Sequence, residues 1–323
     1  MKKLAIGVDI GGTNTSFGAV DQSGKVYFTG SFPTTGHPSF EAYASTIART
    51  VLETVRRIDD AEIAGIGIGA PNAVRETGRI EQAANLAWKG SLPIAELIRK
   101  YTGIDNVRLD NDAKAATVGE MLYGGGRGID NFAVITLGTG IGSGFVVNGR
   151  LVTGHDGQAG ELGHSTVVPG GRTCGCGRKG CLETYTSAVG IKRTAFEVLS
   201  DTLPAEAALS PLSAIAYNDM TSKMISDAAR QGDPVALRIF EQTGEMLGRS
   251  LANLTTVLSP EVIFLFGGLA RAGELILDPT RRSMERNMLE NFKRDMPRLA
   301  LSAIDGDNAA ILGASALVWQ AVG

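Results

Sequence analysis

The stretch Asp9-Ile10-Gly11-Gly12-Thr13 separates two strand-like runs, and Leu137-Gly138-Thr139-Gly140 repeats the arrangement later in the chain. Glycines at such turns let backbone N–H groups converge on an anion, because no Cβ blocks the approach. The strand–turn–strand pattern differs from the strand–loop–helix of a Walker A loop or a dinucleotide fingerprint. An ordinary hairpin turn is the alternative reading of either stretch alone. Together they predict two similar half-molecules that face each other and grip one polyphosphate.

Composition limits the classes of protein. A chain of 323 residues is long enough for two domains. Its 31 basic and 34 acidic residues are nearly balanced and form no long basic stretch, so neither nucleic acid nor an anionic membrane is an expected partner. The apolar run after Met1-Lys2-Lys3 ends at Asp9, too early for a secretory signal. No other apolar run approaches the length of a membrane span. We therefore expect a soluble, cytoplasmic protein.

The cysteines are concentrated in one short segment. All 3 of them lie in Cys174-Gly-Cys176-Gly-Arg-Lys-Gly-Cys181. An odd number packed this tightly makes a poor disulfide framework and a good set of thiolate ligands. A tetrahedral zinc site needs a fourth ligand, and His164 is the nearest histidine. Three reduced thiols in a glycine-rich loop are the alternative.

Hydrophobic periodicity predicts alternating helices and strands, and hence an α/β fold. We expect a helix with a cap at Asp233 and Pro234 in its first turn, ending before Pro260. The other expected strands are 3–9, 15–20, 25–32, 62–69, 106–110 and 261–266, and the other expected helices are 39–58, 113–122 and 308–321, with mostly helical structure over 186–258.

The motifs together resemble those of a known family. They are Asp9-Ile-Gly-Gly-Thr13, Asn111-Asp112-Ala113, Leu137-Gly-Thr-Gly140, Gly160-Glu-Leu-Gly-His164, Cys174-Gly-Cys-Gly-Arg-Lys-Gly-Cys181-Leu-Glu183 and Phe266-Gly-Gly268. Their order resembles that of the ROK family, which contains bacterial sugar kinases and sugar-responsive repressors. The resemblance covers essentially the whole chain and is greatest to the glucokinase branch. It implies a two-domain actin/hexokinase-like (ribonuclease H-like) fold with an interdomain cleft, and an ATP-dependent hexose kinase of carbohydrate metabolism that phosphorylates O6 of glucose.

We expect two domains on this basis. Residues 1–111 with 308–323 would form a smaller α/β domain that carries the first hairpin. Residues 112–307 would form a larger one that carries the second hairpin, the zinc loop and the adenosine site. Dimers are the commonest assembly and are frequent in this family, so a homodimer is expected.

Phosphoryl transfer needs alignment, charge neutralisation and a group that accepts the hydroxyl proton. The two turns supply backbone donors for the β- and γ-phosphates, together with the hydroxyls of Thr13 and Thr139. Asp9 is placed to hold Mg²⁺, although a simple turn aspartate is the alternative. A strand followed by Gly267-Gly268 and a helix makes a suitable adenosine platform.

Asp112 is the candidate catalytic base. It stands where a strand becomes a helix, so the alternative is a helix N-cap, a role that Asn111 could share. The resemblance implies that Asp112 is the base and that Asn111 contacts the sugar. It also implies that Glu161 and Glu183 hold sugar hydroxyls, and that His164 binds structural zinc with one ring nitrogen and faces the sugar with the other. Asn85 resembles a further sugar-contacting position.

Other functions remain open at this stage. The preferred sugar could be fructose, mannose, N-acetylglucosamine or N-acetylmannosamine. A sugar-responsive repressor of the family would carry a DNA-binding segment ahead of the first strand, and the strand here begins at residue 3. An actin- or chaperone-like ATPase could use the same hairpins, but it would not need the cysteine loop with Glu161, His164 and Glu183.

Overall fold

The computed structural model of this chain describes residues 1–83, 85–304 and 306–320. Ala84, next to the expected sugar contact Asn85, lies outside the described residues. Residues 321–323 also lie outside them, and these include the end of the expected smaller domain and the last residue of the expected helix 308–321. The chain divides into two compact units. The first comprises Met1–Asp130, Arg150–Ala159 and Ser302–Gly323, and the second comprises Asn131–Gly149 and Gly160–Leu301. These units divide the chain at other residues than the expected domains, whose boundaries stay a prediction.

The described strands are β1 (Lys2–Ile10), β2 (Asn14–Asp21), β3 (Val26–Pro33), β4 (Ala61–Ala70), β5 (Ala73–Val74), β6 (Arg79–Glu81), β7 (Ser91–Leu92), β8 (Val107–Asn111), β9 (Phe132–Leu137), β10 (Ile141–Val147), β11 (Arg150–Leu151), β12 (Val262–Phe266) and β13 (Arg298–Leu301). The described α-helices are α1 (Phe40–Arg56), α2 (Ile94–Thr102), α3 (Asp112–Tyr123), α4 (Glu183–Thr186), α5 (Ala188–Asp201), α6 (Pro204–Ala207), α7 (Ser222–Arg230), α8 (Pro234–Leu258), α9 (Glu274–Asn287), α10 (Glu290–Lys293) and α11 (Ala309–Gln320). Short 3₁₀ helices cover Leu162–His164, Pro211–Ala214, Ala270–Ala272 and Gly306–Asn308.

The main sheets of the two units share one strand pattern. In the first unit the order is β3-β2-β1-β4-β8, in which β1, β2 and β3 form an antiparallel meander and β4 and β8 run parallel to β1. In the second unit β10 pairs antiparallel with β9, and β12 and β13 continue the sheet in parallel. Each sheet therefore begins on a hairpin and ends on two parallel strands. The prediction of an α/β fold built on two similar hairpins is confirmed.

Several predicted helices form where local chemistry places them. In α1, Tyr43, Ile47 and Val51 recur at helical spacing and are buried. The Ser39 side chain caps this helix by accepting the Ala42 N–H. The Asp233 carboxylate likewise caps α8 by accepting the N–H groups of Val235 and Ala236. Among the described helices, none is both long enough and apolar enough to cross a bilayer.

Helix α11 packs directly on the backbone of the first sheet. A Cβ at Gly7 would overlap the Ile311 carbonyl, and one at Gly67 would overlap the Ala314 carbonyl. Glycine at these two positions of β1 and β4 therefore lets the helix lie closer than side chains would allow. Helix α3 packs against α11 as well, with Gly313 against Ala115. This packing fixes α3, whose first residue is the candidate base Asp112.

Candidate active site

The first glycine turn forms as predicted and is closed by its own backbone. The Gly11 N–H donates to the Asn14 carbonyl at 3.0 Å, and Ile10 pairs with Thr15 across the hairpin. A Cβ added at Gly12 would come within 2.7 Å of the Asn85 carbonyl. The structure thus brings the turn and the segment with Asn85 together, as two of the predicted site elements of the first unit.

A buried chain of hydroxyls supports this turn. Thr34 Oγ1 donates to the Gly11 carbonyl at 2.8 Å, and it lies 2.8 Å from Thr15 Oγ1. Thr15 Oγ1 lies 2.5 Å from the Tyr43 hydroxyl. All three side chains are at most 1% exposed. The Tyr43 ring in turn stacks on Trp88 with a 4.8 Å centroid separation, so one network reaches both the turn and the segment after Asn85.

Asn111, and not Asp112, is the N-cap of α3. Asn111 Oδ1 accepts the N–H groups of Ala113 at 2.9 Å and Lys114 at 3.4 Å. Asp112 is the first residue of the helix, and its Oδ1 accepts the Ala113 N–H at 2.7 Å. Within the described residues, Oδ2 of Asp112 and the Nδ2 amide of Asn111 form no hydrogen bond. The capping that the sequence left open therefore falls mainly to Asn111, which leaves one Asp112 oxygen available.

Two carboxylates of the first unit have raised pKa values. Desolvation, and then the charge of Asp112, raise the pKa of Asp9 to about 7. Asp112 is exposed to solvent, yet desolvation by the protein around its carboxyl raises its pKa, against the lowering effect of the Ala113 N–H. A cation beside such a pair would favour the charged form of both groups.

The second turn is held by Glu183. The Gly138 N–H donates to the Gly140 carbonyl at 3.0 Å, and the Ile141 N–H donates to Glu183 Oε2 at 2.9 Å. Glu183 Oε1 lies 3.7 Å from the Cys174 Sγ. One glutamate thus connects the predicted phosphate turn to the cysteine segment.

The Gly267-Gly268 turn lies beside the second glycine turn. Gly267 has φ +101°, and a Cβ there would come within 2.9 Å of the Leu137 carbonyl. The Leu269 N–H donates to the same carbonyl at 3.1 Å. The positive φ and the close backbone contact both require glycine at 267. The structure therefore joins the predicted adenosine and phosphate turns of the second unit.

The four predicted metal ligands converge. One ligand atom from each of His164, Cys174, Cys176 and Cys181 lies within 4.8 Å of all the others. Cys174 Sγ is 3.6 Å from His164 Nδ1, and Cys176 Sγ is 3.7 Å from Cys181 Sγ. Tetrahedral zinc with Zn–S bonds of about 2.3 Å has S–S edges of about 3.8 Å, so the cluster fits this ion.

The thiols of the cluster differ in acidity. The backbone N–H of Arg178 lowers the pKa of Cys176 to about 6, and burial raises the pKa of Cys174 to about 12. Metal binding requires the thiolate form of each.

Glu161 precedes a short 3₁₀ helix that packs on β10, and His164 is the last residue of that helix. The Ser143 hydroxyl donates to the Gly160 carbonyl and accepts the Leu162 N–H at 3.1 Å. The Glu161 side chain is exposed, and in the described part of the chain its carboxylate and His164 Nε2 form no hydrogen bond. Both groups are therefore available to a ligand.

The sequence analysis missed the residues that support these turns. Thr34 and Ser143 were not singled out, and Tyr43 was expected only as part of the apolar face of helix 39–58. The bond between Glu183 and Ile141 was not predicted either. Ser143 alone carried a usable signal, because a polar residue on the buried face of an apolar strand needs a buried hydrogen-bond partner. The partners of Thr34 lie far away in sequence, so no local pattern identifies them.

The whole chain is similar to proteins of known function. A profile of the ROK family matches residues 5–321. A glucokinase from Thermotoga maritima is 36% identical over 100% of both chains, and one from Streptomyces coelicolor is 37% identical over 98% of both. A solved structure of a ROK family glucokinase from Streptomyces griseus, in complex with glucose and AMPPNP, has a TM-score of 0.81 and 35% identity, and the match covers 98% of this chain and 99% of that one.

Proposed function

Because this chain belongs to the ROK family, we propose that it is an ATP-dependent glucokinase that transfers the γ-phosphoryl group of ATP to O6 of glucose. Its fold is the two-domain actin/hexokinase-like fold of ROK sugar kinases. The observation in the structure that carries the function is Asp112, which starts α3 with one carboxylate oxygen unpaired within the described residues while Asn111 caps the helix.

Asp112 accepts the proton of the sugar hydroxyl in this proposal. Its raised pKa makes it a stronger base than an ordinary aspartate, which brings it nearer the optimum for proton transfer at neutral pH. The proton can leave late in a loose transition state, so a moderate base is sufficient. The neighbouring Asn111 amide is oriented by its capping bonds and supports a hydrogen bond to the sugar.

The nucleotide is held by the two turns in this proposal. The phosphates lie against Gly11, Gly12, Thr13, Gly138, Thr139 and Gly140, and Gly267-Gly268 carries the adenosine. The N–H groups of Gly11 and Gly138 close the two turns, so the donors to phosphate are the backbone N–H groups of the other four residues and the hydroxyls of Thr13 and Thr139. Asp9 holds Mg²⁺, which would neutralise charge on the phosphates when bound. Without a cation, burial and the charge of Asp112 raise the pKa of Asp9 to about 7, so the charged carboxylate is disfavoured there. A bound cation would stabilise that charged form, which supports the assignment of Asp9 to Mg²⁺.

The sugar hydroxyls are held by Glu161, Glu183, His164 and Asn85 in this proposal. Glu183 Oε2 already accepts the Ile141 N–H, but a carboxylate has about four acceptor positions and can take another bond. Oε1 lies near the Cys174 Sγ, which has no proton to donate once it binds zinc as a thiolate. His164 directs Nδ1 toward the cysteines, which supports a sugar contact by Nε2. Zinc at His164, Cys174, Cys176 and Cys181 would be structural, because four protein ligands leave no open position.

We further propose a cytoplasmic homodimer. An enzyme that consumes ATP needs the nucleotide pool of the cytoplasm, and C₂ dimers are the commonest assembly of soluble proteins. Light scattering at working concentration would give twice the 33.8 kDa chain mass, and a single-chain mass would refute the dimer.

A panel of hexoses tests the proposed function. Purified enzyme with Mg²⁺ and ATP should phosphorylate glucose faster than fructose, mannose, N-acetylglucosamine or N-acetylmannosamine, as measured by ADP release. A faster reaction with another sugar would support a sugar kinase but show that glucose is not its preferred substrate. If no sugar in the panel gives ADP above background, the kinase proposal is wrong.

A further inference from the structure

A cavity of about 220 Å³ lies in the first unit, apart from every residue assigned above. Its wall includes Val107, Arg108 and Leu109 of β8, the strand that ends at Asn111. Two more arginines, Arg75 and Arg99, also line it. Three arginines on the lining of one small cavity call for an explanation, since like charges repel unless an anion or a carboxylate lies between them.

Two of these guanidinium groups are held in place by the protein. Arg75 donates from Nε to Asp110 Oδ2 at 2.7 Å and from its terminal nitrogen to Gln320 Oε1 at 3.3 Å. Arg99 donates to the Asp105 carbonyl at 3.1 Å and to the Val107 carbonyl at 3.0 Å. A guanidinium fixed in this way has further N–H groups, and ordering them on a ligand costs little additional entropy.

The cavity lining carries excess positive charge. In the part of the chain that the structure describes, neither Arg99 nor Arg108 forms an ion pair with a carboxylate, and Arg108 Nε donates only to Asn106 Oδ1 at 3.0 Å. The Asp110 carboxylate is paired with Arg75 at 2.6 Å. Glu76 is the acidic residue of the lining, and its carboxylate lies where a Cβ on Gly157 would point.

We propose that this cavity is a second ligand site, which binds the phosphate group of a small metabolite. Planar guanidinium groups match the oxygen geometry of phosphate and form charge-assisted hydrogen bonds to it. The volume is below the about 300–1,000 Å³ of pockets for drug-sized ligands, which indicates inorganic phosphate or the ester of a small molecule.

The site is connected to the proposed base through Asp110. The buried Asp110 carboxylate binds Arg75 on one oxygen and accepts the Asn111 N–H on the other at 2.9 Å. A phosphate group on the remaining N–H groups of Arg75 shares the positive charge of this guanidinium with Asp110. This weakens the Arg75–Asp110 pair and loosens the junction of β8 and α3. The ligand therefore lowers kcat for the reaction at Asp112. This effect on turnover rests on the proposed function, whereas binding itself does not.

Calorimetric titration tests the binding. Inorganic phosphate, glycerol 3-phosphate and glucose 6-phosphate are each titrated into the enzyme with glucose and AMPPNP present, so that the proposed active site is filled. At least one probe should bind saturably. Arg108→Gln and Arg99→Gln should each raise its dissociation constant about tenfold, the effect of losing one charged hydrogen bond. Arg79→Gln is the matched control, because Arg79 bonds Ser91 and does not line the cavity.

Each outcome decides the proposal. No saturable binding by any probe overturns it, and so does unchanged affinity in both cavity variants. If Arg99→Gln fails to fold, Arg108→Gln decides, since that side chain is exposed and has a single hydrogen bond. At a probe concentration equal to the dissociation constant of the unmodified enzyme, the probe should also lower kcat of that enzyme, with a much smaller effect on Arg108→Gln, most of which is then unoccupied. Calorimetry does not require kinase activity. Binding at the cavity can therefore be detected, or ruled out, even if the proposed glucokinase function is wrong.

Discussion

At the scale of single residues, Asn111 and Asp112 divide two tasks that the sequence could not assign. Both are good N-caps, so the pattern left capping open. In the structure Asn111 is the N-cap of α3, and one carboxylate oxygen of Asp112 has no hydrogen-bond partner among the described residues. The base is therefore separable from the cap by mutation.

Asp112→Asn should lower kcat by about 10²–10⁴-fold, because the amide keeps the size of the side chain but cannot accept the hydroxyl proton. The free energy of unfolding should change by at most about 1 kcal/mol, because the cap is retained. Steady-state kinetics and urea unfolding measure the two effects, with Asp59→Asn, on an exposed residue of the same unit, as the charge-matched control. A variant that unfolds but keeps its turnover per folded molecule would mean that Asp112 serves the helix and not the reaction.

At the scale of elements, both glycine turns depend on side chains from elsewhere in the chain. The first glycine turn depends on Thr34, and the second depends on Glu183 from the cysteine segment. The sequence predicted the turns and the ligand set because glycines and cysteines mark them locally. It could not predict the supporting bonds, because those join residues that only the fold brings together.

Thr34→Val should disturb the first turn. The substitution removes the donor to the Gly11 carbonyl and a partner of Thr15, so the free energy of unfolding should fall by about 1–3 kcal/mol. KM for ATP should rise, because the turn loses the bond that fixes its backbone. Thermal unfolding and initial rates measure both effects. Thr46→Val, which loses only a bond within α1, is the control, and an unchanged KM for ATP in Thr34→Val would show that the support is unnecessary.

Cys176→Ser should break the cysteine cluster. Elemental analysis should give about one zinc per unmodified chain and less in the variant. KM for glucose should rise and kcat should fall, because the segment that carries His164 and Glu183 loses its anchor. Binding of nucleotide without sugar should weaken less than binding of glucose, since Gly267-Gly268 lies against β9 and only the second glycine turn shares Glu183 with the disturbed segment. A zinc-free protein with full activity would show that the metal is not needed for the reaction. Equal loss of nucleotide binding and sugar binding would indicate global unfolding.

At the scale of the whole molecule, the chain repeats one sheet pattern in two units. The two glycine-threonine hairpins predicted this repetition, and long apolar or helically spaced runs predicted most of the main elements, including β4, α1 and α8. The small sheet of β5, β6 and β7 was not predicted, because strands of two or three residues leave no periodicity. Strand β13 was missed for a similar reason, since four residues are too few to distinguish it from the helical stretch before it.

The most direct test of the central claim compares glucose with 6-deoxyglucose in the presence of Mg²⁺ and ATP, by ADP release and by ³¹P NMR of the product. The account predicts ADP formation with glucose and a phosphate monoester coupled to the protons on C6, with only background ADP from 6-deoxyglucose or without sugar. Equal ADP release with and without glucose would contradict the account, because it would identify an ATPase that does not transfer the phosphoryl group to the sugar.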